Sequence, residues 1–151
     1  MLIDSEDVKQ AIVERLLELF PDIVVYKEAK TTIAYPHFFV YQINVSSEEE
    51  RKDYFLLSYS MEIRYRVASD PSTDLKLEQN LDNMGLKLLQ GFNIIDFENE
   101  KIRCKQKSIE KVDGVLHFFF TVDILTKYVS GEETIKQNKL SVEVNANGQQ
   151  I

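Results

Sequence analysis

Between Tyr54 and Ala68 apolar and polar residues take turns. Phe55, Leu57, Tyr59, Met61, Ile63, Tyr65 and Val67 are apolar, and Ser58, Ser60, Glu62, Arg64 and Arg66 stand among them. A period of two over this length predicts a strand with one buried and one wet face, because a helix would spread both sets around its circumference. A second strand is predicted over His37–Val45, with Phe39, Tyr41, Ile43 and Val45 on one face and Phe38, Val40, Gln42 and Asn44 on the other. It is apolar on both sides at its start and on one side at its end, as in a strand covered at one end and exposed at the other. Tyr35-Pro36 just ahead favours extended backbone. Two further segments, Lys101–Val112 and Val115–Tyr128, flank Asp113-Gly114, a dipeptide that suits a type I′ turn because both central residues need positive φ. That turn sets Val112 opposite Val115, Glu110 opposite His117 and Ser108 opposite Phe119. It leaves Leu116, Phe118, Phe120, Val122, Ile124 and Thr126 on the buried face.

Two stretches carry helical spacing instead. Over residues 4 to 20, Val8, Ala11, Ile12, Leu16, Leu19 and Phe20 recur at threes and fours, Asp4 or Ser5 can cap, and Pro21 ends the run. A second helix starts at Asp70-Pro71-Ser72-Thr73-Asp74 and reaches about Gln90. Its stripe of Leu77, Leu81, Met84 and Leu88 is widened by Leu75, Leu86 and Leu89, and Gly91 follows as a stop. Met84-Gly85 reads as space-filling where helix and sheet approach closely. Ile23–Tyr26 is a short strand candidate, Lys27–Ala34 a loop, and Phe92–Phe97 a turn and strand lead-in. Long strands joined by hairpins, with two helices between and before them, give an α+β fold. The expected form is a mainly antiparallel sheet of four to five strands with two helices packed on one face. The polar run Ser46-Ser47-Glu48-Glu49-Glu50-Arg51-Lys52-Asp53 is a linker at the tip of the long hairpin, either solvated or touching another subunit. Residues 1–129 form the core domain. Residues 130–151 form a polar arm in which only Leu140, Val142 and Val144 alternate, so that it is either disordered or pairs a small strand with something else.

Composition narrows the class. A chain of 151 residues with 44% hydrophobic and 28% charged residues suits one globular domain. No apolar run approaches the roughly 20 residues of a membrane span, so no membrane association is expected. The acidic start MLIDSEDVKQ and the single Cys104 fit a protein made and kept in a cytoplasm. The net charge of −7 argues against nucleic-acid binding through phosphate neutralisation. Lys101, Arg103, Lys105, Lys107 and Lys111 nonetheless sit at period two, which puts five cations on one strand face. That stripe is either a solvated edge or a phosphate-facing patch.

Reaction chemistry is not evident. The five glycines are scattered, His37 and His117 lack metal-motif spacing, and no catalytic, cofactor-binding or metal-binding residue is assigned. A Cys104–His117 nucleophile pair is disfavoured because the hairpin register sets Cys104 near Asp123. Asp123 interrupts an apolar strand, and a salt bridge on the wet face with Arg64 or Arg66 accounts for it.

Three stretches resemble the phage tail terminator family: DSEDVKQAIVERLLELFPDIVVYKEAK, YPHFFVYQINVSSEEERKDYFLLSYSMEIRYRV and DLKLEQNLDNMGLKLLQ, within residues 1 to about 129. The resemblance implies a structural tail protein, not an enzyme and with no cofactor, that caps the tail tube as a ring, usually a hexamer, and joins it to the head connector. Its implied partners are further copies of itself, the tail-tube protein and the head-tail connector protein. It would belong to a virion or prophage tail particle assembled in a bacterial cytoplasm. Six copies at −7 each would carry roughly 42 negative charges, so that DNA passes through without specific binding. The partner-contact candidates are Ser46, Ser47, Glu48, Glu49, Glu50, Arg51, Lys52 and Asp53, with Leu140, Val142 and Val144. Two other readings stay open: another head-tail joining or tail-completion protein, and a small-molecule binding module or enzyme with a pocket of His117, Asp123 and Cys104.

Overall fold

The computed structural model describes residues 5–51, 53–68 and 74–127. In chain order the elements are α1 (Ser5–Leu19), β1 (Val24–Tyr26), β2 (His37–Arg51), β3 (Tyr54–Arg66), α2 (Asp74–Gly91), β4 (Ile94–Phe97), β5 (Glu100–Val112) and β6 (Val115–Lys127). The sheet has six strands in the order β1-β2-β3-β6-β5-β4. It is therefore larger than the four to five strands expected, and mixed, because β1 runs parallel to β2 while the other pairs are antiparallel. The two short edge strands make the difference: β1, of three residues, falls within the Ile23–Tyr26 candidate, and β4, of four, forms within the Phe92–Phe97 lead-in and is too brief for periodicity to mark as a strand of its own.

Strand β3 buries Tyr59, Met61, Ile63 and Tyr65, and β6 buries Leu116, Phe118, Phe120, Val122 and Ile124, the faces that alternation selects. Onto them α1 brings Val8, Ile12 and Leu16, and α2 brings Leu81, Met84 and Leu88, all in one core cluster. Helix α1 packs on β1, β2 and β4, and α2 on β5 and β6. Since β2 and β4 lie toward opposite ends of the strand order, the sheet curls around α1. Leu75 and Leu86 do not widen the α2 stripe as expected; both stay exposed, since a contact stripe of one helix face excludes them. At Gly85 helix α2 lies close against the sheet: a Cβ there would sit 2.7 Å from Ile109 Cδ1.

Helix α2 has no basic residue in its last turn. Other elements supply the cations that its C-terminal carbonyls attract. Arg15 of α1 donates to the Gly91 carbonyl from Nη2 at 2.8 Å and Nε at 3.2 Å, and Lys107 of β5 donates to the Leu89 carbonyl at 2.9 Å.

Two bulges redirect side chains. In β5 the register slips between Lys105 and Ser108, with Gln106 at φ 53°. A bulge inserts one residue and reverses the alternation beyond it. Lys105 therefore stands opposite Thr121, on the face away from the helices, while Ile109 and Lys111 stand opposite Phe118 and Leu116, on the helix side. The five cations expected on one face are split, and Lys111 pairs with Glu78 and Asp82 of α2. In β2 the slip lies between Gln42 and Asn44. It moves Val45 opposite Tyr59, to the helix-side face, and off the face it was expected to share with Phe39 and Tyr41. The Asp113-Gly114 turn has φ of 52° and 75°, and the Val112–Val115, Glu110–His117 and Ser108–Phe119 pairs form as expected.

Candidate assembly interface

The β2–β3 hairpin is longer than its sequence suggests. The run from Ser46 is not a linker: Ser46, Ser47, Glu48 and Glu49 pair in register with Ser58, Leu57, Leu56 and Phe55, and Arg51 pairs with Tyr54. Glu50 lies within the same strand, Asp53 is an exposed turn residue, and Lys52 falls outside the described residues, as do Leu140, Val142 and Val144. Polar composition failed as a loop signal because both faces of this part of β2 meet solvent, and backbone pairing to β3 needs no apolar side chain. Strand β6 continues beside β3 as far as Lys127, opposite Tyr54. The result is a three-stranded tongue whose outward positions include Ile43, Val45 and Leu125, which are 50%, 38% and 49% exposed.

On the face away from the helices, β2 carries a row of rings. His37 lies 5.0 Å from Tyr35 and 5.5 Å from Tyr26 between centroids, and Phe39 stacks on Tyr41 at 4.9 Å. The Arg64 guanidinium sits 4.2 Å over the Tyr41 ring, a cation–π contact. Next to it Glu62 is buried although no helix covers it. Arg64 Nε donates to Glu62 Oε2 at 2.8 Å, and His117 Nδ1 lies 2.5 Å from the same oxygen. Burial by itself raises the Glu62 carboxyl, but the hydrogen bonds from Arg64 and His117 outweigh it, and the net shift is downward. His37 is lowered by burial, against a hydrogen bond to the Ala34 carbonyl that raises it. Sequence periodicity missed this cluster because Glu62 and His117 meet only through the β3–β6 register, which no turn between them defines.

The catalytic alternative loses its geometry. Cys104 pairs opposite Val122 on the helix-side face and is buried, while His117 and Asp123 lie on the other face. Burial pushes the Cys104 thiol up to about 11. Asp123 does not reach Arg64 or Arg66; it accepts from Ser58 Oγ at 2.7 Å and pairs with Lys105. Arg64 stands opposite His117, six residues up β6 from Asp123, too far along the strand to meet it. Among the described residues no three His, Cys, Asp or Glu side chains are grouped to hold a metal ion, and no helix is long and apolar enough to cross a membrane. A shallow cleft beside α2, lined by Tyr65, Lys76, Asn80, Asn83 and Lys87, is open to solvent. Among the described residues the surface also offers a ring-bearing face, the tongue of β2, β3 and β6, and two strand edges.

A family model described as phage tail terminator protein matches residues 7–135. No curated protein matches the sequence. One solved structure aligns with 85% of this chain and 99% of its own at 11% identity, with a TM-score of 0.37.

Proposed function

Because the chain belongs to the phage tail terminator family, and so has a structural role in a phage tail, we propose that it closes the end of the tail tube as a hexameric ring and presents a surface to the head connector. The tongue of β2, β3 and β6 is the observation that carries this reading. Three long strands extend with exposed Ile43, Val45 and Leu125 and with charged residues at the tip, the form of a contact surface that a lone subunit leaves unused. Among the described residues the short edge strands leave most of both borders of the sheet without a paired strand, and a head-to-tail contact between identical subunits closes into a ring when its rotation divides a full turn. The tail-tube protein and the connector are the other partners in this reading. The net charge of −7 per chain keeps a passing DNA polyanion from adhering.

Imaging of tails made without this protein, by negative stain, tests the proposal. Tubes of irregular length that fail to join heads are the expected result. Tails of normal length joined to heads would overturn it. Tails of normal length that fail only to join would transfer the protein to the head-tail joining role.

A further inference from the structure

The two borders of the sheet differ. Strand β1 covers only His37–Phe39 of β2, leaving the outer edge of β2 from Val40 to Arg51 without a strand among the described residues. Strand β4 covers only Glu100–Arg103 of β5 and the Cys104 amide donates to the Asn93 carbonyl, so that beyond Cys104 the outer edge of β5 also has no strand among the described residues. Natural edges are protected by lysines and bulges, and β5 has both: the left-handed bulge at Gln106, with Lys105, Lys107 and Lys111 along it. The β2 edge is different between its two register slips, at Gln42/Asn44 and at Glu49/Arg51. Asn44–Glu49 pairs regularly with Ser60–Phe55, contains no Lys, Pro or Gly, and leaves Val45 partly bare.

The chain itself contains a segment to match. Strand β6 ends at Lys127, beside the tip of the tongue, and residues 128–151 continue from there. Residues 128–139 can span about 40 Å when extended, enough to reach an adjoining subunit. The alternating Leu140, Val142 and Val144 follow, with Lys139 just before them. The family match stops at residue 135, so this segment lies beyond it.

We propose that Lys139–Val144 of one copy adds as an antiparallel strand to the outer edge of β2 of the next copy, with Val142 opposite Val45. In this register Leu140 falls opposite Ser47 and Val144 beside Ile43, so that the apolar row covers Val45. Lys139 falls opposite Glu48, and Glu143 opposite Asn44. The parallel orientation would carry Lys139 away from the acidic end of β2 and bring Glu143 toward it, which charge disfavours. Strand addition draws its affinity from backbone hydrogen bonds and its register from the alternating side chains. The inference rests on the ring reading, since it names the contact that links successive subunits.

Cysteine pairing in the full chain tests it. Two proteins of different tag length, one Val45→Cys and one Val142→Cys, are mixed under ring-forming conditions and oxidised; Cys104, being buried, stays out of the exchange. A mixed disulfide joining the two tags is expected, and Ser46→Cys in place of Val45→Cys should lower its yield about tenfold, because a one-residue slip turns the side chain to the other face. In the doubly substituted chain the expected product is a ladder of linked subunits. A disulfide confined within single chains overturns the inference in favour of the arm folding back on its own edge. Rings that form without a Val45–Val142 disulfide overturn it and leave the ring reading intact. Full-length chains that neither form rings nor cap tubes overturn both.

Discussion

At the scale of single residues, burial decides behaviour more than residue type does. Cys104 is the only thiol in the chain, and its buried position on the helix side of β5 raises its pKa to about 11. Only the thiolate reacts, so in the native protein at pH 8 a disulfide reagent should modify Cys104 at least about tenfold more slowly than in urea-unfolded chains. Equal rates would contradict the burial. His37 and Glu62 are both held below their ordinary values, His37 by burial and Glu62 by hydrogen bonds that overcome its burial. The sign is the same for both. A lowered folded pKa means that the unfolded chain takes up protons first, so stability is full above the unfolded value and is lost as pH falls toward the folded one. Acidification should therefore lower the urea midpoint in two steps, the first starting near the ordinary histidine value of 6.5 and the second below the ordinary glutamate value of 4.5. In His37→Asn, whose amide can donate to the Ala34 carbonyl in place of Nδ1, the first step should shrink. A step of unchanged size would assign it elsewhere.

Elements are held in place by residues that belong to other elements. The C-terminus of α2 lacks its own cations and takes Arg15 from α1 and Lys107 from β5. Arg15→Met, which keeps much of the apolar stem, should cost about 1–2 kcal/mol in chemical denaturation, the worth of a charge-assisted hydrogen bond at a helix end. A cost near zero would show that the guanidinium contributes no more than its stem. The β5–β6 hairpin depends on left-handed backbone at Gly114, where φ is 75° and an added Cβ would meet Leu77 Cδ2 at 3.6 Å, an ordinary contact without a clash. Gly114→Ala should therefore lose about 1 kcal/mol through backbone conformation alone, seen as a fall of about 3 °C in Tm. Gln106 occupies the same backbone region at the β5 bulge. There a β-branched Gln106→Val should cost more than Gln106→Gly, and the reverse order would mean that the bulge relaxes on substitution.

For the whole molecule, surface charge and surface shape point the same way. The net charge of −7 is accompanied by a division of the β5 cations between two faces, where Lys105 and Lys111 already pair with Asp123, Glu78 and Asp82. No continuous basic track is left on that strand for phosphates. Duplex DNA should therefore show no retention on immobilised protein at 150 mM salt, about the physiological ionic strength, and retention there would restore the phosphate-facing reading of the stripe. Exposed apolar residues among those described include the tongue positions Ile43, Val45 and Leu125 and the α2 residues Leu75 and Leu86, beside Leu17 on α1 and others on the edge strands. Contact with other tail components is the use for such positions in the proposed ring.

The long strands, both helices and the Asp113-Gly114 hairpin register were legible in the sequence, because each follows from side-chain period or from backbone geometry that neighbouring residues impose. The family resemblance was legible as well, since it resides in those same stretches. Other features were settled by tertiary structure alone. A bulge reverses the facing of every residue after it without altering composition, which is why the cation stripe divides at Gln106 and Val45 changes sides after Gln42. Pairing between strands far apart in the chain brings Glu62 to His117, and no local pattern encodes it. The polar residues of the tongue are a strand because β3 lies beside them, a dependence on a partner that the sequence of that segment alone does not contain.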